Sequence, residues 1–244
     1  MPFTFAHPVT VLTFPRNHRY FHFPALVLGA MSPDFMYMLH WKTGVGGHTL
    51  FGSEWVNLPL CLLFYAVYRW ILATPIKEHL PDFCASNVPQ ATFKHPLVWL
   101  AVFVYSAWIG MVTHIALDAT THENGYFVRL FPILQTKLIF HVYDWLQYGI
   151  GALGLITIML YQRRMAEKYP YCSSRTAKQK WLFWLSVASL MVIIFYVSNP
   201  LYPLVWNEVA SIVLRIINSF FISLTIHGLI FTGIQQKQLS DFEH

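Results

Sequence analysis

The chain has 244 residues, of which 56% are apolar and only 11% are charged. Soluble globular domains carry about 25% charged residues, so this composition excludes an ordinary soluble domain and predicts an integral membrane protein. The net charge of +5 is modest and gives no reason to expect a nucleic-acid partner.

Long apolar stretches predict an all-α protein, a polytopic transmembrane helical bundle. The first stretch, Phe23–Leu39, is short and contains Pro33-Asp34, which favours a short, broken or re-entrant helix over a simple span. Five later stretches predict membrane-spanning helices: Trp55–Ala73, Pro96–Ala119, Tyr143–Tyr161, Trp181–Ser198 and Val205–Ile234. We expect residues 1–244 to form a single membrane domain.

The distribution of positive charge predicts how the bundle is oriented. Loop 162–180 carries six basic residues and one acid, so the positive-inside rule places it in the cytoplasm. Counting spans from there places loop 74–95 in the cytoplasm as well, and loop 120–142 and His48 on the non-cytoplasmic face of the membrane. Arg16 and Arg19 would favour the cytoplasmic side if Phe23–Leu39 crosses.

His114, Asp118 and His122 are spaced four residues apart, which places them on one face of the helix predicted over Pro96–Ala119. An aspartate in the middle of a membrane costs roughly 2.5–3.5 kcal/mol on insertion scales, less near the interface, unless it is paired or hydrated. His114 and Asp118, about 6 Å apart along the axis, can bind one ion. On an unbroken helix His122 cannot join them, so it binds a second ion, orients a ligand, or follows a point where the helix unwinds.

Other plausible ligands also lie in the first half of the sequence. His7, Asp34 and His48 can complete a divalent-metal site, for which zinc is a candidate, with His114 and Asp118. His122 would be a ligand or a general acid or base. Residues 1–125 would thus form the metal site, and residues 126–244 would serve as apolar scaffold helices.

Each of these ligands also has a simpler interpretation. A lone histidine in a membrane protein is more often an interfacial or hydrogen-bonded residue than a ligand. Asp34 follows Ser-Pro and is equally well explained as a helix N-cap. Gly46-Gly47-His48 is also typical of a flexible turn before a helix.

Four sequence elements carry a family resemblance: Met1-Pro2-Phe3-Thr4-Phe5-Ala6-His7-Pro8, Ser32-Pro33-Asp34, Gly47-His48-Thr49-Leu50 and His114-x-x-x-Asp118-x-x-Thr121-His122. In these elements the chain resembles a family of bacterial membrane proteins of unknown function. The order of the motifs is also similar to that of inner-membrane proteins named membrane-bound metal-dependent hydrolases. More distantly, it is similar to the helical zinc-dependent phospholipase C group, which binds several metals. Residues 36–40 depart from the hydrolase pattern, which often has a second acid and a histidine after Pro-Asp.

These observations lead to one main functional expectation and two alternatives. The main expectation is a membrane-bound metal-dependent hydrolase that acts on a lipid or envelope phosphodiester or ester. The alternatives are a proton- or ion-coupled transporter, with Asp118 and the histidines as a relay, and a non-catalytic membrane scaffold. The sequence lacks G-x-S-x-G, Walker and H-E-x-x-H motifs, which gives no support to serine hydrolases, nucleotide hydrolases or zincins.

Overall fold

The computed structural model of the chain describes residues 4–42, 46–49, 54–204 and 208–242, with the backbone alone for residues 235–242. These residues are mostly helical and contain no β-strand, which confirms the all-α prediction. The helices are α1 (Phe23–Gly29), α2 (Phe35–His40), α3 (Glu54–Val67), α4 (Ala73–His79), α5 (Pro96–Thr121), α6 (Tyr126–Leu130), α7 (Pro132–Gln135), α8 (Val142–Lys168), α9 (Ala177–Val197) and α10 (Val209–Phe242).

Among the described residues, two 3₁₀ segments and one π-helical segment precede or join the α-helices. A 3₁₀ helix over Thr4–Val11 precedes α1, and a short 3₁₀ turn at Ser32–Asp34 joins α1 to α2. A π-helical turn at Tyr68–Leu72 joins α3 to α4, so that these two helices form one continuous rod. The predicted segment Phe23–Leu39 is therefore broken, as Pro33 indicated.

Within the described residues, four helical stretches are long and apolar enough to cross a membrane: Glu54–His79, Pro96–Leu130, which includes the break between α5 and α6, Ala177–Val197 and Val209–Ile234. They cover four of the five predicted spans, except for Ser198, which follows α9, and Glu208, which precedes α10; residues 205–207 lie outside the described residues. The fifth prediction, Tyr143–Tyr161, is helical within α8, but polar residues such as Asp144 and Gln147 make this helix less apolar than the others. The architecture is consistent with an integral membrane protein.

The two loops that were both predicted to be cytoplasmic meet at one end of the bundle. The backbone N–H of Asn87 donates to the Tyr169 carbonyl oxygen at 2.8 Å, and the Lys180 Nζ lies 2.5 Å from Asp82 Oδ1. Tyr171 also donates to Glu78, next to the end of α4. Loops 74–95 and 162–180 therefore lie on the same side, opposite the end of α5 that carries Asp118.

Residues 4–34 form a hairpin along α5. Thr10 Oγ1 lies 2.9 Å from Thr113 Oγ1, and further along the hairpin the His22 N–H donates to Ser106 Oγ at 3.1 Å. Helix α1 then returns towards the C-terminal end of α5. Near the turn, the Arg16 guanidinium lies over the Tyr161 ring of α8, 4.8 Å from its centroid, and donates to its hydroxyl.

Glycines allow α1 and α5 to touch through their backbones. A Cβ atom on Gly29 would lie 2.0 Å from the carbonyl oxygen of Ala107, and one on Gly110 would lie 2.2 Å from that of Leu26. Small residues at such crossings are a general means of helix association in membranes. Because the two backbones meet here, the residues that follow α1 reach the side chains of the last turns of α5.

Helix α10 is tied to its neighbours by buried polar side chains. Asn218 donates to the Met38 carbonyl oxygen of α2 at 2.8 Å, and Ser223 donates to that of Val187 in α9. Arg215 donates to the Phe195 carbonyl oxygen and so satisfies one of the last carbonyls of α9. These groups bond to the backbone of neighbouring helices, which gives them a role in packing.

We predict that Gly110→Ala destabilises the protein by about 1–3 kcal/mol, because the added methyl group must push α1 away from α5. The measurement is thermal unfolding of the detergent-purified protein. Gly149→Ala is the matched control, since a Cβ at Gly149 of α8 would meet no other part of the protein within 4 Å beyond the adjacent backbone of its own helix. Equal unfolding temperatures for the two variants would contradict the close α1–α5 contact.

Candidate metal centre

Helix α5 supplies His114 and Asp118 from its last two turns. His114 is fully buried, and its Nδ1 hydrogen-bonds the Ala30 carbonyl oxygen at 2.8 Å. Its Nε2 lies 3.3 Å from Asp118 Oδ2, as expected for two residues one turn apart. The helix ends at Thr121, and His122 has extended backbone angles. The helix therefore unwinds before His122, which was one of the three possibilities that the sequence left open.

Asp118 is surrounded by imidazoles. Its Oδ1 lies 3.1 Å from His7 Nε2 and 3.6 Å from His122 Nδ1, while its Oδ2 lies 3.5 Å from His48 Nε2 and 3.3 Å from His114 Nε2. The Asp118 residue is only 9% exposed. All four histidines that the sequence placed in the site thus contact this one carboxylate.

Asp34 is delivered to the same place by the 3₁₀ turn between α1 and α2. It occupies the N-cap position of α2, but its side chain makes no capping hydrogen bond. The carboxylate instead accepts a hydrogen bond from Thr4 Oγ1 at 2.5 Å and lies 3.2 Å from His48 Nε2. Of the two interpretations that the sequence allowed, the structure shows the carboxylate facing the histidines.

His48 reaches the cluster because of the glycine before it. Gly47 has a φ of 134°, and a Cβ there would lie 2.5 Å from the Pro33 carbonyl oxygen. Asn57 of α3 donates to the Gly47 carbonyl oxygen at 3.0 Å and fixes this turn. Thus Gly47 is required by geometry, and the turn is held in place.

The His48 ring is also held from its outer side. Its Nδ1 lies 3.1 Å from the Tyr37 hydroxyl, and the two rings stack. Burial first, and then the charges of Asp34 and Asp118, raise the pKa of Tyr37 to about 12. The hydroxyl therefore stays neutral at physiological pH and can hydrogen-bond the imidazole.

His7 comes from the N-terminal 3₁₀ helix, which packs between α5 and α8. Neighbouring Ala6 lies against Gly154 of α8, where an added Cβ would meet the Ala6 methyl group at 3.1 Å. The rings of His7 and His114 stack with centroids 3.8 Å apart. Both residues are almost completely buried.

Two overlapping groups of residues have the spacing of metal ligands. Donor atoms of His7, Asp34 and His114 lie within 4.8 Å of one another, and so do those of His48, His114 and Asp118. Asp34 Oδ1, His48 Nε2 and His114 Nε2 are buried and have no hydrogen-bond partner among the described residues. The structure therefore brings together all five predicted ligands, in a form that can hold a cation.

His122 lies beside this group. Its side chain is 31% exposed, its Nδ1 lies 3.1 Å from Thr121 Oγ1, and its Nε2 lies 3.2 Å from Gln147 Nε2 of α8. Thr4, Tyr37 and Gln147 were not identified from the sequence, because neutral polar residues do not form the spacing patterns that are typical of metal ligands. Gln147 also shows that the second half of the chain contributes to the site.

Comparisons with known proteins bear on the family alone. Neither the curated proteins nor the solved structures give a match. A family model described as a domain of unknown function (DUF4184) matches residues 1–232. The resemblance to a family of unknown function is thereby confirmed, whereas the resemblance to metal-dependent hydrolases stays a prediction. The chain belongs to the DUF4184 family.

Proposed function

We propose that the protein is an integral membrane hydrolase that depends on a divalent metal ion, with zinc as the first candidate. The ion would be held by the three imidazoles and two carboxylates of the candidate centre: His7, Asp34, His48, His114 and Asp118. The proposed substrates are phosphodiesters or carboxylic esters of membrane lipids or of other envelope components.

The observation that carries this proposal is the arrangement of three buried donor atoms that make no hydrogen bond and face one another or Asp118. Asp34, His48 and His114 each use one polar atom in a hydrogen bond, to Thr4, Tyr37 and Ala30 respectively. The other polar atom of each is buried without a hydrogen bond, 3.2–4.0 Å from another candidate ligand, and a buried polar atom without a hydrogen bond costs roughly 1–3 kcal/mol unless something binds there. Hydrogen bonds to the outer atoms of ligands are typical of metal sites.

The donor atoms fit a borderline divalent ion. Imidazole nitrogens and carboxylate oxygens are ligands that zinc takes, and among the described residues the donor groups at this place include no cysteine. A bound ion would lower the pKa of a coordinated water, and its positive charge would polarise an ester.

His122 is positioned to move a proton beside this centre. Its Nδ1 faces Asp118 Oδ1 at 3.6 Å, and its partly exposed ring connects the buried ligands to the surface. An imidazole is the side chain whose proton affinity suits general acid–base catalysis near neutral pH. We therefore assign His122 the role of general acid or base.

The surroundings support a lipid or envelope substrate. The centre lies at the end of the bundle opposite the basic loop 162–180, which by the positive-inside rule corresponds to the non-cytoplasmic face of an inner membrane. Apolar side chains of α8 near this end, such as Trp145 and Leu153, are more than half exposed. A hydrolase in this place meets lipid headgroups and other envelope esters first.

The two alternative functions lead to different outcomes in the same preparations. A transporter predicts ion flux into proteoliposomes that disappears with Asp118→Asn, because the carboxylate would carry the proton or ion. A non-catalytic scaffold predicts that chelation lowers stability while no ester is consumed.

We predict that the purified protein retains a divalent metal ion and that His114→Ala abolishes this retention, because the variant removes a fully buried ligand. Metal content after gel filtration in detergent, measured by mass spectrometry, is the test. His227→Ala, a histidine of α10 bonded to its own helix, is the matched control and should retain the metal. Equally low metal in the wild type and both variants would refute the proposal.

We predict that Tyr37→Phe weakens metal binding by about 10–100-fold without abolishing it, since the hydroxyl orients His48 but does not touch the ion. A competition titration against a chelating dye gives the affinity. Tyr143→Phe, at the start of α8, serves as the control. Unchanged affinity in Tyr37→Phe would contradict the role given to this hydrogen bond.

We predict that metal-loaded protein in lipid nanodiscs releases a fatty acid or a phosphorylated headgroup. His122→Ala should lower this rate by about 100-fold or more, a typical loss for a general acid or base. Asp144→Asn, an acid that pairs with His141 instead, should leave the rate unchanged. Failure of loaded wild type to consume any lipid or envelope ester would rule out the hydrolase proposal.

A further inference from the structure

We infer that the candidate centre holds one ion in a single coordination sphere, and that His122 lies outside this sphere. The inference rests on the proposed metal dependence and deepens it, because it specifies how many ions take part. It also differs from what the resemblance to the zinc-dependent phospholipase C group implies, since that group binds several metals.

The distances between donor atoms support a single sphere. Zinc binds nitrogen and oxygen at about 2.0–2.2 Å, so two atoms that bind the same ion are at most about 4.4 Å apart. His48 Nε2 is 3.2 Å from Asp34 Oδ1 and 3.5 Å from Asp118 Oδ2. His114 Nε2 is 4.0 Å and 3.3 Å from the same two atoms. Each of these four separations is short enough for the two atoms to bind the same ion.

His7 adds a fifth donor to this site and does not make room for a second ion. Its Nε2 is 3.1 Å from Asp118 Oδ1, and its ring stacks on that of His114. In centres with two metals the ions are about 3.5–4 Å apart, so their outermost donors are separated by more than the diameter of one sphere. The five ion-pair distances that join these residues run from 3.1 to 4.0 Å, which is within that diameter.

His114 also limits the number of ions. Both groups with ligand spacing contain this residue, yet its Nδ1 is bonded to the Ala30 carbonyl oxygen, which leaves only Nε2 for a metal. One imidazole nitrogen binds one ion. The two groups are therefore overlapping descriptions of one site, and two separate ions cannot occupy both together.

His122 is held outside this site by protein atoms on both sides of its ring. Gln147 Nε2 lies 3.2 Å from its Nε2, and Thr121 Oγ1 lies 3.1 Å from its Nδ1. It belongs to neither of the two groups with ligand spacing. Gln147 thus acts as a positioning residue, which keeps the imidazole facing Asp118 from beside the ligands.

The test is a zinc titration of the metal-stripped, full-length protein in detergent, with bound zinc counted by mass spectrometry. We expect one equivalent per chain for the wild type. His122→Ala and Gln147→Leu should also bind one equivalent, because neither residue contacts the ion, and their affinity should fall by no more than about 100-fold, as for other residues that contact a ligand. Asp34→Ala should bind no zinc, and its unfolding temperature shows whether it remains folded.

A second measurement uses manganese as the probe ion. The electron paramagnetic resonance spectrum of the Mn²⁺-loaded protein should be that of an isolated ion, since two ions about 4 Å apart would couple magnetically. Two zinc equivalents, or a coupled manganese spectrum, would overturn the single-ion inference while leaving the metal-dependent function intact. Loss of zinc in His122→Ala would show that His122 is a ligand. No bound zinc in any sample would overturn the proposed function itself.

Discussion

The structure depends on two carboxylates, Asp34 and Asp118, that are buried next to each other at one end of an apolar bundle. Both contact the same two imidazole nitrogens, those of His48 and His114. Two negative charges this close repel each other, and burial adds a desolvation cost. A divalent cation balances both charges with one positive centre, which is why the metal hypothesis accounts for the pair.

Close backbone packing makes this arrangement possible. Gly29 and Gly110 allow α1 to lie directly on α5, and this contact places Ala30 against His114 and Asp34 beyond it. Gly47 allows the next loop to pass over Pro33 and to aim His48 at the same point. Close backbone contacts at these glycines thus bring the candidate ligands together.

Much of the fold could be predicted from the sequence because its physical basis is local. Apolar length identified the helices, and Pro33 indicated the break after α1. The spacing of His114 and Asp118 predicted that their side chains meet, since both lie on one helical face. The folding of the N-terminal segment along α5 could not be predicted, because it depends on contacts between residues distant in sequence, such as Thr10 with Thr113. For the same reason Thr4, Tyr37 and Gln147 were missed.

X-ray absorption spectroscopy of the zinc-loaded protein tests the central claim most directly. We expect a first shell of only nitrogen and oxygen at about 2.0–2.2 Å, with the multiple scattering of several imidazole rings. A shell that contains sulfur near about 2.3 Å, or one without imidazole scattering, would contradict the proposed centre.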